Sequence, residues 1–138
     1  MKNYDIIDHT ADIGIKAYGN NISESFENAA KAMFDIITDC SQIENFGQYK
    51  IELSAPNIEQ LLVDWLSELL FLNSAKNLVF GLFKVNINEK FFSISSNIYG
   101  EKYDKSKHKI GIEIKAITYH MLEVKKNKPF YVQILFDI

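Results

Sequence analysis

The chain predicts an α+β fold in a single domain, residues 1–138, with two helices packed on a mostly antiparallel β-sheet. Three observations carry that expectation. Apolar residues recur at helical spacing in two segments of the first half, around Phe26 to Ile37 and around Leu61 to Leu72. The second half turns to alternating runs rich in β-branched and aromatic residues from Leu78 onward. The resulting order, strand, helix, strand, helix and then several strands, is that of an α+β protein. With 138 residues, 47% of them hydrophobic and 24% charged, the chain is long enough to bury a core and has an ordinary globular composition.

Tyr4 to Asp8 reads as a short extended lead-in. Asp8-His9-Thr10-Ala11-Asp12 then gathers two carboxylates, an imidazole and a hydroxyl, and Ile13 to Tyr18 alternates with period two as a half-buried strand does. The polar cluster therefore stands at a strand entrance. Gly19-Asn20-Asn21 is a turn, and Asn21 with Glu24 three residues on has capping-box spacing, with Ser23 as a rival cap. A helix is expected from Ser23 to Thr38. Phe26, Ala29, Ala30, Met33, Phe34, Ile36 and Ile37 form its apolar face, and Glu24, Glu27 and Lys31 its polar one.

Residues 38–47 are polar and irregular, and Tyr49 to Ser54 alternates as a strand. Ala55-Pro56-Asn57 breaks it, and Asn57 with Gln60 marks a second helix start. That helix is expected to run to about Asn73. Its wide apolar arc, through Leu61, Trp65, Leu66, Leu69 and Leu72, predicts the more buried of the two helices. Leu78 to Ile87 and Phe91 to Tyr99 flank Asn88-Glu89-Lys90 as a hairpin. Gly100 to Lys109 reads as a charged, exposed loop. Ile110, Ile112, Ile114 and Ala116 alternate as a strand, and the slip of phase at Ile117, Tyr119 and Met121 predicts a bulge or corner. Lys125 to Pro129 is a polar turn before a last strand, Phe130 to Phe136.

The formal net charge of −3 and the lack of any arginine argue against strong direct nucleic-acid binding, which depends on cations neutralising phosphates. A partner that handles RNA is compatible with both. Cys40 is the single cysteine, so no internal disulfide forms. The amino terminus lacks the apolar run of a signal peptide. The longest apolar stretch, Leu61 to Leu72, is interrupted by Asp64, Ser67 and Glu68 and is too short to span a bilayer. A soluble cytoplasmic protein that does not engage membranes is expected.

Candidate chemistry concentrates at the two ends. If the strands holding Asp12 and Asp137 are neighbours, those carboxylates and the terminal carboxylate at Ile138 converge. Such an all-oxygen set suits Ca²⁺, Mg²⁺ or Mn²⁺ rather than Zn²⁺. Composition alone favours the plainer reading, a turn cap at Asp12 and a solvated strand end at Asp137. His9 and His120, with Asp12, have the residue types for Zn²⁺ or for acid–base work, but no recognised ligand spacing, and structural histidines account for them as well. Asp39 beside Cys40 disfavours a thiolate, and neither a serine elbow nor a glycine-rich phosphate loop is present. Lys115 interrupts an apolar run. It is either an outward-facing strand lysine or a cation that meets a carboxylate or a phosphate.

Three separated blocks, His9-Thr10-Ala11-Asp12-Ile13-Gly14, Leu62-Val63-Asp64-Trp65-Leu66-Ser67-Glu68-Leu69-Leu70 and Lys115-Ala116-Ile117-Thr118-Tyr119-His120, together resemble the archease family. The ending Phe136-Asp137-Ile138 is similar to that family's closing residues, and Tyr18-Gly19 with Phe26-Glu27-Asn28-Ala29-Ala30 fits its first helix. The pair Phe130-Tyr131 departs from it, standing where a tryptophan is expected. The resemblance implies a non-catalytic protein cofactor of the GTP- and Mn²⁺-dependent RNA-splicing ligase, promoting ligase guanylylation and multiple turnover in tRNA splicing or RNA repair. It implies a divalent-metal site at Asp12, Asp137 and Ile138, the last through its terminal or main-chain oxygen. Ca²⁺ is the first expectation there, with Mg²⁺ or Mn²⁺ as alternatives. Lys115 matches a position linked to activation, and His120 stands in the same block. A chaperone-like modulator of RNA-modifying proteins and a metal-dependent hydrolase using His9 and His120 are the alternative readings.

Overall fold

The computed structural model describes residues 3–9 and 11–138. Thr10 and the side chain of His9, both part of the amino-terminal polar cluster, lie outside the described residues. Two antiparallel sheets and two long helices make up the fold. Strands β1 (Tyr4–His9) and β2 (Asp12–Gly19) form a hairpin, followed by α1 (Ile22–Ile37), a 3-10 turn at Cys40–Gln42, β3 (Gly47–Ser54) and α2 (Ile58–Lys76). Then come β4 (Leu78–Asn88), β5 (Ser93–Lys102), the two-residue β6 (Ala116–Ile117), β7 (Glu123–Lys125) and β8 (Phe130–Asp137). The larger sheet runs β1-β2-β8-β6, with β7 also paired to β8, and the smaller one runs β3-β5-β4. The α+β, two-helix expectation holds, with two sheets in place of one.

Both helices start where their asparagines place them. Asn21 Oδ1 accepts the Glu24 N–H at 2.8 Å and Asn57 Oδ1 accepts the Gln60 N–H at 2.8 Å, each satisfying one of the donors a helix start leaves unpaired. The reciprocal half of the first box is displaced by one residue, because Glu24 Oε1 takes the Asn20 N–H instead. Asn77, in the left-handed region at φ 58°, ends α2.

α1 rather than α2 is the more buried helix, with ten of its 16 residues buried against eight of 19. It packs against β2 and β8 of the larger sheet and β4 of the smaller one. β4 is an edge strand, and α1 guards that edge: Glu27 Oε2 accepts the Val85 N–H at 2.8 Å and Ser23 Oγ accepts the Ile87 N–H at 3.0 Å. Burial pushes the Glu27 carboxyl above its usual range, which the Val85 N–H partly offsets. Ser23 thus serves the sheet rather than the cap. Trp65 of α2 is fully buried and donates its indole N–H to the Phe26 carbonyl at 3.1 Å, tying the two helices together. Each large apolar side chain in this core contributes about 1.5–3 kcal/mol.

The region after β5 departs from expectation in two places. Residues 100–109 are not simply an exposed loop, since β5 continues to Lys102 and His108 is only 2% exposed. Residues 110–116 are not a regular strand. They form a strap across the carboxyl-terminal end of α1, where the Ile36 and Ile37 carbonyls accept the N–H groups of Ile112 (2.8 Å) and Gly111 (3.0 Å). Thr38 Oγ1 also donates to the Lys109 carbonyl at 2.6 Å. The strap answers carbonyls that a helix end leaves without partners. Gly111 is required for the approach, because a Cβ there would lie 2.3 Å from the Ile36 carbonyl oxygen. The expected corner falls at Met121, whose φ is 56°.

A candidate metal and activation site at the end of the β2–β8 ladder

The β1–β2 connection brings His9 and Asp12 into register with two residues between them, and Ala11 takes a positive φ of 63°. Tight two-residue hairpins need that left-handed geometry, and glycine is its usual occupant. It delivers Asp12 to the first position of β2. At the other end of the chain β8 runs antiparallel to β2, and Asp137 is the direct register partner of Asp12. Directly opposed residues project to the same face of an antiparallel pair, with Cβ atoms about 4.5–5.5 Å apart in such pairs. The two carboxylates flank one rung, and Ile138 follows immediately, half-buried against the core.

The far side of β8 is lined by the Lys115–His120 segment. The Lys115 N–H donates to the Asp137 carbonyl at 2.7 Å, and Ala116 opposes Asp137 in the β6–β8 pairing. Thr118 donates both its N–H (3.1 Å) and its hydroxyl (2.8 Å) to the Leu135 carbonyl, and the Leu135 N–H returns to the His120 carbonyl at 3.2 Å. Asp12, Asp137 and Lys115 are therefore assembled on three adjacent backbones. The Lys115 side chain is exposed and contributes to a groove of about 850 Å³ between the strap and α2, beside Ser67, Leu70 and Phe71. His120 is held by its main chain with its ring side exposed.

Among the described residues no three His, Cys, Asp or Glu side chains gather closely enough to hold a metal ion. The rung does place two aspartates opposite each other with Ile138 next in sequence, and carboxylate oxygens are the donor chemistry of Ca²⁺, Mg²⁺ and Mn²⁺. Cys40 contributes nothing reactive. Burial, and then the Asp35 charge, push its thiol well above the usual range, and its single S–H is shared between the Lys31 and Phe80 carbonyls. Asp39, the neighbour in sequence, is only a minor contributor.

The sequence of residues 4–138 matches the model of the archease protein family. The chain belongs to the archease family. Relatives named protein archease span almost its whole length. That of Methanosarcina barkeri is 45% identical over 141 residues, covering 99% of this chain and 97% of the relative. That of Sulfurisphaera tokodaii is 37% identical over 132 residues, covering 96% and 95%. The solution structure of Methanobacterium thermoautotrophicum protein 1598 matches with a TM-score of 0.86 and 35% identity, covering 100% of both chains. The archease likeness read from the blocks thus extends to the fold. The family name is that of a protein rather than of an enzyme class. Among the described residues no helix is long and apolar enough to cross a membrane.

The sequence reading missed one feature beside the strap: a cluster in which buried His108 meets the half-buried Glu101 and Lys107, reaching exposed Glu44. Glu101 receives Lys107 at 2.8 Å, the ring of His108 at 2.9 Å and the Glu44 N–H at 2.7 Å. Burial pushes its carboxyl up, but these donors outweigh burial and hold it at about 2. The only sequence signal was a lone histidine in a lysine-rich run.

Proposed function

We propose that this protein is a cytoplasmic, non-catalytic cofactor of the GTP- and Mn²⁺-dependent RNA-splicing ligase, promoting ligase guanylylation and repeated turnover in tRNA splicing or RNA repair. One observation carries the reading: in a chain of the archease family, Asp12 and Asp137 share a rung and the Lys115 N–H is bonded to that rung's carbonyl. Two carboxylates directly opposed on one face repel each other, and a divalent cation bound between them would relieve that repulsion. Asp12, Asp137 and an oxygen of Ile138 would hold it, with Ca²⁺ favoured and Mg²⁺ or Mn²⁺ as alternatives. When bound it supplies positive charge that a nucleotide phosphate or a partner's carboxylate can share. The chain's own residues do the rest. The β2–β8 ladder fixes the two aspartates on a rigid element, and Lys115, exposed at the groove between the strap and α2, is available to the partner's phosphates or acidic groups. The net charge of −3 suits docking on a basic, RNA-handling enzyme rather than on RNA itself.

The test is guanylylation of a cognate ligase from GTP, under multiple-turnover conditions, with and without the protein. The expected result is a clear rise that Asp12→Ala and Asp137→Ala each abolish while remaining folded. Full stimulation by both variants removes the metal site from the reading, and no stimulation by the wild type removes the reading itself.

A further inference from the structure

We infer that His108 is a positioning residue: its buried ring locks the root of the strap that carries Lys115 to the edge of β8. The inference rests on the proposed ligase role only for the importance of Lys115, since the lock itself stands on geometry.

Nδ1 of His108 accepts the Asp104 N–H at 2.8 Å, so that nitrogen carries no proton. Nε2 must then hold the ring proton, and it is donated to Glu101 Oε2 at 2.9 Å. One tautomer satisfies both partners, and the ring is inaccessible to solvent. The His108 N–H also donates to the Asp104 carbonyl at 2.7 Å, so the 104–108 turn is closed by main chain and side chain together. Glu101 belongs to β5, and the Tyr103 N–H donates to the Asn77 carbonyl at the end of α2 at 2.8 Å, so the turn is anchored to both elements. The ring of Tyr103 lies against His108 at 5.6 Å between centroids. Lys107 bridges Glu101 to Glu44 from the outside.

The segment beyond His108 has little regular structure of its own. From Lys109 to Lys115 the chain is held by the Thr38 hydroxyl, two α1 carbonyls and the Asp137 carbonyl. Ile110 and Ile112 are 78% and 42% exposed and only Ile114, next to Lys115, is buried in the core, so apolar burial fixes the Lys115 end of the strap and leaves the end at His108 to hydrogen bonds. A stretch of this kind takes its position from its ends. One end is Ile114 in the core with the Lys115–Asp137 bond at the candidate site, and the other is His108.

The two ring nitrogens have separable substitutes. In His108→Asn the amide oxygen stands in for Nδ1 and retains the Asp104 N–H. In His108→Gln the longer amide reaches Glu101 as Nε2 does, but leaves the Asp104 N–H unanswered. The experiment is amide hydrogen exchange on the full chain, reading Gly111, Ile112 and Lys115 against the amides of β2 and β8. The expected result is roughly tenfold or faster exchange of the three strap amides in His108→Gln, with β2 and β8 unchanged and protection largely restored in His108→Asn. Ring ¹⁵N shifts of the wild type should report the Nε2–H tautomer. Unchanged strap exchange in His108→Gln, or acceleration spread evenly over the chain in both variants, overturns the assignment. The exchange result decides the lock even if a ligase assay shows no stimulation. Where the wild type stimulates, His108→Gln should lose stimulation in parallel with Lys115→Ala, whereas His108→Asn retains it.

Discussion

Asp12 and Asp137 oppose each other across the rung where β2 begins and β8 ends. Like charges directly opposite each other are unfavourable, and a divalent cation bound between them would offset that cost. Calcium or manganese should therefore raise the melting temperature of the wild type, and a chelator should reverse the rise. At a cation concentration 100 times the dissociation constant the gain is about 2.7 kcal/mol. In Asp12→Asn and Asp137→Asn the shift should vanish. Calorimetry with and without EDTA measures it, and an equal shift in all three proteins would refute binding at this rung.

Lys115 is exposed, and the bond that places it uses its main chain. Lys115→Ala should leave stability within about 0.5 kcal/mol of wild type. Stimulation of ligase turnover should fall strongly in the same variant. Urea denaturation beside the guanylylation assay separates the two effects, and retained stimulation would relieve Lys115 of any role.

Gly111 lies against the last carbonyls of α1, where an added Cβ would meet the Ile36 and Ile37 oxygens at 2.3 and 2.6 Å. Backbone cannot yield as a side-chain tip does, so Gly111→Ala should lift the strap at a cost of about 1–3 kcal/mol. Denaturation gives the magnitude. Lost protection at Ile112 shows whether the strap is what moved.

Glu101 is held at about 2, below its ordinary 4.5, by Lys107, the Glu44 N–H and His108 acting against burial. Its folded-state value is depressed, so its contribution to stability is fully present above pH 4.5 and is lost as pH falls toward 2. Glu101→Gln should lower stability at neutral pH and flatten this acid limb. Urea titrations at several pH values measure both, and an unchanged slope below pH 4.5 would show that other carboxylates govern it.

Local chemistry was legible in the sequence wherever one residue decides it. Asn21 and Asn57 announced their helices because each cap needs only its own side chain and an N–H three residues on. Asp12 and Asp137 were legible as carboxylates at strand ends, but their opposition is a matter of register between distant segments, which neither segment specifies alone. Residues 110–116 misled because alternation records only a side-chain pattern. Of that run only Ala116 pairs with β8, and Ile110 and Ile112 leave their apolar surface exposed. The relative burial of the helices was misjudged for a related reason. Leu72, counted in the α2 arc, is only half-buried, whereas Ala29, Ala30 and Ala32 let α1 sit deep between the sheets. His108 was hidden by its lysine neighbours, since burial of a histidine depends on partners such as Glu101 that lie elsewhere in the fold.

β8 has a consequence for how the protein is made as well as for how it works. It is flanked on one side by β2 and on the other by β6 and β7, so the middle of the larger sheet is supplied by the last strand of the chain. The β1–β2 hairpin must keep an open edge until nearly the whole chain has been gathered, and contacts so distant in sequence form late and slowly. A partly folded molecule can contain both aspartates without bringing them together. Competence at this site is thus a certificate of completed folding, and a ligase that responds to the paired carboxylates would be served only by molecules that have passed that inspection.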